Sequence, residues 1–181
     1  MPAYVFPDHT PETAPAASVR SMEAVARKQG RLPSAVARLA TSPELLDGFL
    51  KVSALFESTT LDPLSRETLI MTMATRNACH ICVAMHTAKL TALQAAPELI
   101  DALRERRELP DGRLEALRQF TLAALATAGA VDDETFQDFL AHGYTTRNAL
   151  EVVLGIGAYT MSTLGNRMTG APVDPHLAAF A

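Results

Sequence analysis

The only two cysteines of the chain stand three residues apart, in Cys79-His80-Ile81-Cys82, and His86 follows four residues after the second. On a helix, Cys79, Cys82 and His86 occupy positions i, i+3 and i+7, which places them along one face. Asn77 just before them reads as the end of the preceding helix, so Cys79 falls at or near a new helix N-terminus. There the unpaired backbone N–H groups and the helix dipole favour a thiolate. His86, one turn beyond Cys82, can accept or return that thiol's proton. Glu67 lies twelve residues before Cys79, on the preceding helix. If a tight helical hairpin brings the two together, the carboxylate orients the imidazole, completing a nucleophile–base–orienter array.

The spacing also limits what the two thiols can do. Cβ atoms at i and i+3 of a helix are about 5–6 Å apart, whereas a disulfide prefers about 3.5–4.5 Å. A bridge therefore needs local adjustment at the helix start, and this suits a cycling disulfide better than a permanent one. Two other readings stand beside it. The cysteines can be small buried hydrophobes, or Cys79, Cys82 and His86 can be three zinc ligands, with a fourth from Glu67 or a distant His. The second C-x-x-C or H-x-H usual in structural zinc sites is missing. His80 points off the cysteine face, and His142 before Gly143 reads as a helix C-terminal residue. His9 and His176 lie in Pro-rich tails. Met71, Met73, Met85, Met161 and Met168 read as core filling, and Arg104 to Arg107, interleaved with acids, as a solvated face.

The elements that must carry these side chains are helices. Ala (31) and Leu (23) supply much of the 181 residues, Trp is absent and aromatics are 6%. Ala and Leu are strong helix formers, while strands draw on aromatic and β-branched residues, so an all-β fold is excluded. Pro, Gly and capping residues cut the chain into helix-length pieces. Thr41-Ser42-Pro43-Glu44 and Leu61-Asp62-Pro63-Leu64 each offer an N-cap followed by Pro at the first helical position. Further pieces start near Cys79, Pro97, Leu114, Asp132 and Thr145, the last reaching about Met168. The expectation is an all-α bundle of about eight or nine helices. Residues 1–18 form a Pro-rich N-terminal arm, and residues 19–181 a single domain beginning with a helix over Val19 to Gln29. Thr-Arg-Asn-Ala occurs twice, at Thr75 to Ala78 and Thr146 to Ala149, weak support for a duplicated helix hairpin.

At 19.4 kDa, surface scaling predicts about 70% of the unfolded surface buried, enough for a core without staples. A net charge of -4 argues against a nucleic-acid partner, whose footprint is basic. The first residues lack the basic start and apolar stretch of a signal peptide. The longest uncharged run, Val152 to Asn166, is fifteen residues, short of the roughly 20 a bilayer span needs. No membrane partner and a cytoplasmic location are expected, and there paired cysteines are more often catalytic or metal-binding than structural. No Gly-rich phosphate loop is present, so no cofactor is expected.

Glu67, then Cys79-x-x-Cys82-x-x-x-His86, resembles the signature of the alkylhydroperoxidase D-like branch of the carboxymuconolactone decarboxylase family. The match covers Leu61 to Leu90, with weaker similarity, in helix lengths and the tail Gly165-Asn166 to Pro172, through most of the chain after residue 30. The resemblance implies an all-helical homo-oligomer, often a trimer or hexamer, reducing hydroperoxides with electrons from an external dithiol. It makes Cys82 the attacking thiol, Cys79 the resolving thiol, and His86 with Glu67 the proton relay. The prototype has a histidine immediately before its second cysteine; here that position is Ile81, and the histidine is His80. The decarboxylase branch lacks the cysteine pair, so lactone decarboxylation is the weaker expectation, as is a redox-sensing or structural oligomer without turnover.

Overall fold

Side-chain caps decide where most helices begin. Ser42 accepts a hydrogen bond from the Leu45 N–H, Asp62 from Ser65, Asp111 from Leu114 and Asp132 from Thr135. Thr145 and Asn148 form a reciprocal capping box. The computed structural model describes residues 5–181 and contains nine α-helices and no strand among them. They are α1 (Ala16–Gln29), α2 (Ser34–Leu39), α3 (Pro43–Glu57), α4 (Pro63–Arg76), α5 (His80–Ala92), α6 (Pro97–Glu105), α7 (Gly112–Ala126), α8 (Asp133–Ala141) and α9 (Thr146–Thr169). A 3₁₀ turn, Pro175–Phe180, follows. The all-α expectation and its helix number hold.

Some boundaries differ from the sequence reading. α1 begins at Ala16, inside the stretch read as an arm, because Pro15 halts the chain just before Ala16-Ala17, and Ser18 is buried with its hydroxyl donated to the Ala40 carbonyl. Of that arm, residues 1–4 lie outside the described residues. The repeated Thr-Arg-Asn-Ala closes α4 in one copy and opens α9 in the other, so the two copies occupy unlike places.

α4 is the central element and packs against α5, α7 and α9. From Glu67 to Ala74 every residue is buried, the mark of a helix surrounded on all sides. Its inner face meets Phe56, Phe120, Phe139, Tyr144, Val152 and Tyr159 in the largest apolar cluster. α9 approaches closely at Gly155, where a Cβ would come 2.6 Å from the Phe56 ring and 2.9 Å from Leu69. Only glycine allows that spacing.

The turn from α4 to α5 places the cysteines. Asn77 caps α4, Ala78 adopts the left-handed conformation (φ 51°), and Cys79 donates its N–H to the Ala74 carbonyl while Ala78 donates to Thr75. These two bonds are a Schellman ending. Cys79 thus ends one helix and is the N-cap of the next.

Candidate dithiol site

Cys79 and Cys82 are joined by a disulfide, with Cα atoms 5.3 Å apart. The local adjustment the spacing calls for is the N-cap conformation of Cys79 (φ -88°, ψ 93°), which is non-helical and re-aims its Cβ. The N–H groups of the first turn of α5 receive no side-chain cap. Both cysteines are buried, at 2% and 3% exposure. Ala35, Ile81, Ala171 and Val173 pack around them. Cys82 lines a cavity.

That cavity holds about 500 Å³ between α1, α2, α3, α5 and α9. Val36, Leu39, Phe49, Leu50 and Met85 give its wall an apolar part, Lys28, Glu57 and Lys89 add charge, and Cys82, His86, Tyr159 and Asn166 line it as well. The volume falls in the range of about 300–1,000 Å³ usual for small-molecule sites.

His86 is buried on α5, and its Nδ1 lies 2.6 Å from Glu67 Oε2 on α4. Burial by itself would raise the Glu67 carboxyl. The hydrogen bond and positive field of His86, with help from Lys89, outweigh it and hold the group below its ordinary 4.5. A carboxylate accepts only, so Nδ1–H is the donor of this bond and Nε2 is left to face other partners. Among the described residues no hydrogen bond reaches Nε2. The Tyr159 ring meets the imidazole edge-on at 5.7 Å, fixing its plane from a second side. Burial raises the Tyr159 phenol above its ordinary value, so it stays protonated.

Glu67 Oε1 reaches Lys89 Nζ at 3.5 Å, and that amine lies 3.9 Å from Glu57, a path from the buried carboxylate to the surface. A shallow depression lined by Glu57, Arg66, Glu67 and Lys89 opens there. Asn166 was not singled out by the sequence reading; its Nδ2 donates to Cys82 Sγ at 3.5 Å. Neither Asn166 nor Tyr159 carried a local signal beyond the Gly165-Asn166 pair in the tail.

The structure thus brings Glu67, Cys79, Cys82 and His86 together. His80 is exposed, and Ile81 is buried against the disulfide. Among the described residues no three His, Cys, Asp or Glu side chains form a metal-ligating group, and no helix is long and apolar enough to cross a membrane.

No family model and no curated protein matches the sequence. Solved structures do. A structure described as the alkylhydroperoxidase AhpD core, an uncharacterised peroxidase-related protein from Ralstonia eutropha JMP134, aligns at a TM-score of 0.82 and 21% identity, over 98% of this chain and 95% of that one. A peroxidase-related protein from Silicibacter sp. TM1040 aligns at 0.79 and 20% identity, over 97% and 93%. A variant of the debrominase Bmp8 in complex with 2,3,4-tribromopyrrole aligns at 0.77 and 14% identity, over 99% and 96%. The chain therefore has the AhpD-like helical fold.

Proposed function

We propose that the chain is a thiol-dependent peroxidase of alkylhydroperoxidase D type within the carboxymuconolactone decarboxylase family. It reduces hydroperoxides through Cys79 and Cys82. The observation that carries this reading is the opening of Cys82 onto a ligand-sized cavity beside a Glu67-oriented imidazole.

In the reduced enzyme His86 Nε2 takes the Cys82 proton, and Glu67 stabilises the imidazolium. The Cys82 thiolate attacks the terminal oxygen of R–O–O–H. An S–O bond forms, the O–O bond breaks, and the leaving alkoxide takes the proton from His86. Sulfur is oxidised by two electrons and the peroxide is reduced to ROH. The Cys79 thiol then displaces hydroxide from the Cys82 sulfenic acid, giving the disulfide and water. An external dithiol restores the thiols. The chemistry draws on no resident cofactor.

The protein is proposed to be cytoplasmic and to assemble with copies of itself, as a trimer or hexamer. α9 supports this: Leu150, Val153, Leu164 and Met168 are exposed and share one face with Gly157.

One other reading has an observation in its favour. The fold is shared with a debrominase, and a ligand-sized cavity next to a dithiol also suits reductive removal of halogen from an organic halide. Thiol titration of the reduced protein before and after stoichiometric cumene hydroperoxide tests the choice. Loss of both thiols together supports the peroxidase. Unchanged thiols with hydroperoxide, and loss with a bromopyrrole, transfer the same dithiol to dehalogenation.

A further inference from the structure

One side chain that lines the cavity has only half its hydrogen bonds. Asn166 is 3% exposed, and its Nδ2 donates to Cys82 Sγ and, at 3.4 Å, to Ser162 Oγ. Its Oδ1 is buried and has no partner. Leaving a buried acceptor unpaired costs about 1–3 kcal/mol, and native structures leave few such groups. This one belongs to a residue that lines the cavity together with Cys82 and His86. An unpaired acceptor on a side chain that lines the same ligand-sized space as Cys82 is met by a donor on the ligand when the amide turns toward it.

We propose that Asn166 is a catalytic residue that reads the substrate. Its amide N–H holds the Cys82 sulfur, and its carbonyl accepts the O–H of the terminal peroxide oxygen. The substrate is then a hydroperoxide with a bulky apolar body that fills the remaining cavity. This rests on the peroxidase reading above. The oxygen that sulfur attacks is the one that bears this proton, and it keeps the proton as it becomes the sulfenic acid. The carbonyl can therefore hold the same O–H throughout the step. On the other side, the N–H donor becomes charge-assisted as the thiolate forms, which lowers the Cys82 pKa. A dialkyl peroxide has no O–H and leaves the carbonyl unpaired, the situation in which a hydrogen-bonding site rejects an analogue strongly. Hydrogen peroxide has the donor but leaves a cavity of about 500 Å³ unfilled.

The test uses the full chain, wild type and the variants Asn166→Leu and Asn166→Asp, each first compared by circular dichroism and melting. Aspartate keeps the shape of the amide, so it guards against a folding failure of the leucine variant. Two quantities are read on the reduced proteins. One is the rate of thiol loss with cumene hydroperoxide, dicumyl peroxide and hydrogen peroxide. The other is the pH at which Cys82 ionises, followed by thiolate absorbance in a Cys79→Ser background. Wild type should consume dicumyl peroxide slower than cumene hydroperoxide by about a hundredfold or more, with hydrogen peroxide also slower. Asn166→Leu should lower the cumene hydroperoxide rate by about tenfold to a hundredfold and move the Cys82 titration up by about one pH unit. Asn166→Asp should move it at least as far. Wild-type consumption of dicumyl peroxide at the cumene hydroperoxide rate overturns the role of the carbonyl. A Cys82 titration unmoved in both variants overturns the role of the N–H, and it does so without any peroxide. A wild-type protein that consumes no hydroperoxide removes the peroxidase reading and the substrate half of this proposal with it.

Discussion

Glu67 Oε2 and His86 Nδ1 are 2.6 Å apart, with both side chains buried and on different helices. This contact joins the central helix α4 to the dithiol helix α5, and it engages Nδ1 of the imidazole. A buried carboxylate without that partner would be costly, so the pair contributes to the fold as well as to the site.

Replacing the carboxylate separates charge from shape. In Glu67→Gln the amide can donate to Nδ1, which reverses the tautomer and leaves Nε2 protonated. The second-order rate with cumene hydroperoxide should fall by about 10²–10⁴-fold, and stopped-flow thiol loss measures it. Stability also acquires a signature. The folded-state pKa of Glu67 is lowered, so its contribution is fully present above about pH 4.5 and is lost as pH falls through the lower folded value. Glu67→Gln should flatten that acid limb in urea melts taken between neutral pH and pH 3. A wild-type acid limb in the variant would show that the ion pair contributes no pH-dependent stability.

The two thiols should behave differently. Cys82→Ser should abolish peroxide consumption. Cys79→Ser should allow one turnover and leave a sulfenic acid on Cys82, trapped by dimedone and located by mass spectrometry. The helix-start argument pulls the other way, since Cys79 is the N-cap of α5 and its sulfur can accept from the uncapped amides. Cavity lining and the nearby imidazole are the grounds for expecting Cys82 instead. A dimedone adduct on Cys79 in the Cys82→Ser variant, with none on Cys82 in the other, reverses the assignment.

Gly155→Ala should destabilise the protein by about 1–3 kcal/mol, because the added methyl meets the buried Phe56 ring and Leu69 at under 3 Å. Tyr159 sits one turn further along α9 and packs edge-on to both Phe56 and His86. The variant should therefore lose peroxidase rate together with stability. Chemical denaturation and the single-turnover rate, measured on the same preparation, check both. A variant as stable as wild type would mean that α9 can back away from α4 at no cost.

The α9 face supplies a test of assembly. Leu150 is 73% exposed and Met168 is 64% exposed on the same side of a helix whose other side is core. Light scattering at micromolar concentration should report an oligomer, and Leu150→Glu with Leu164→Glu should shift it toward monomer with the circular dichroism unchanged. A stable wild-type monomer would contradict the assembly.

The grouping of the candidate site residues was legible in the sequence to the extent that they are neighbours on one helix or its hairpin. Cys82 and His86 share a face because a helix repeats every 3.6 residues, a property of the backbone alone, and Cys79 joins them from the N-cap. Glu67 could be added because Asn77 and the turn that follows bring α4 back along α5. Helix starts were legible for the same reason, since Ser42, Asp62 and Thr145 act on N–H groups three residues away. Tertiary packing alone decided the rest. Asn166 lies 84 residues from the sulfur it touches, and the cavity needs walls from α1, α2, α3 and α9. Those meetings depend on how closely long helices pass one another, as at Gly155, and on the unpaired volume left where they do not touch. Both are sums of many weak contacts over distant segments, and no local periodicity records them.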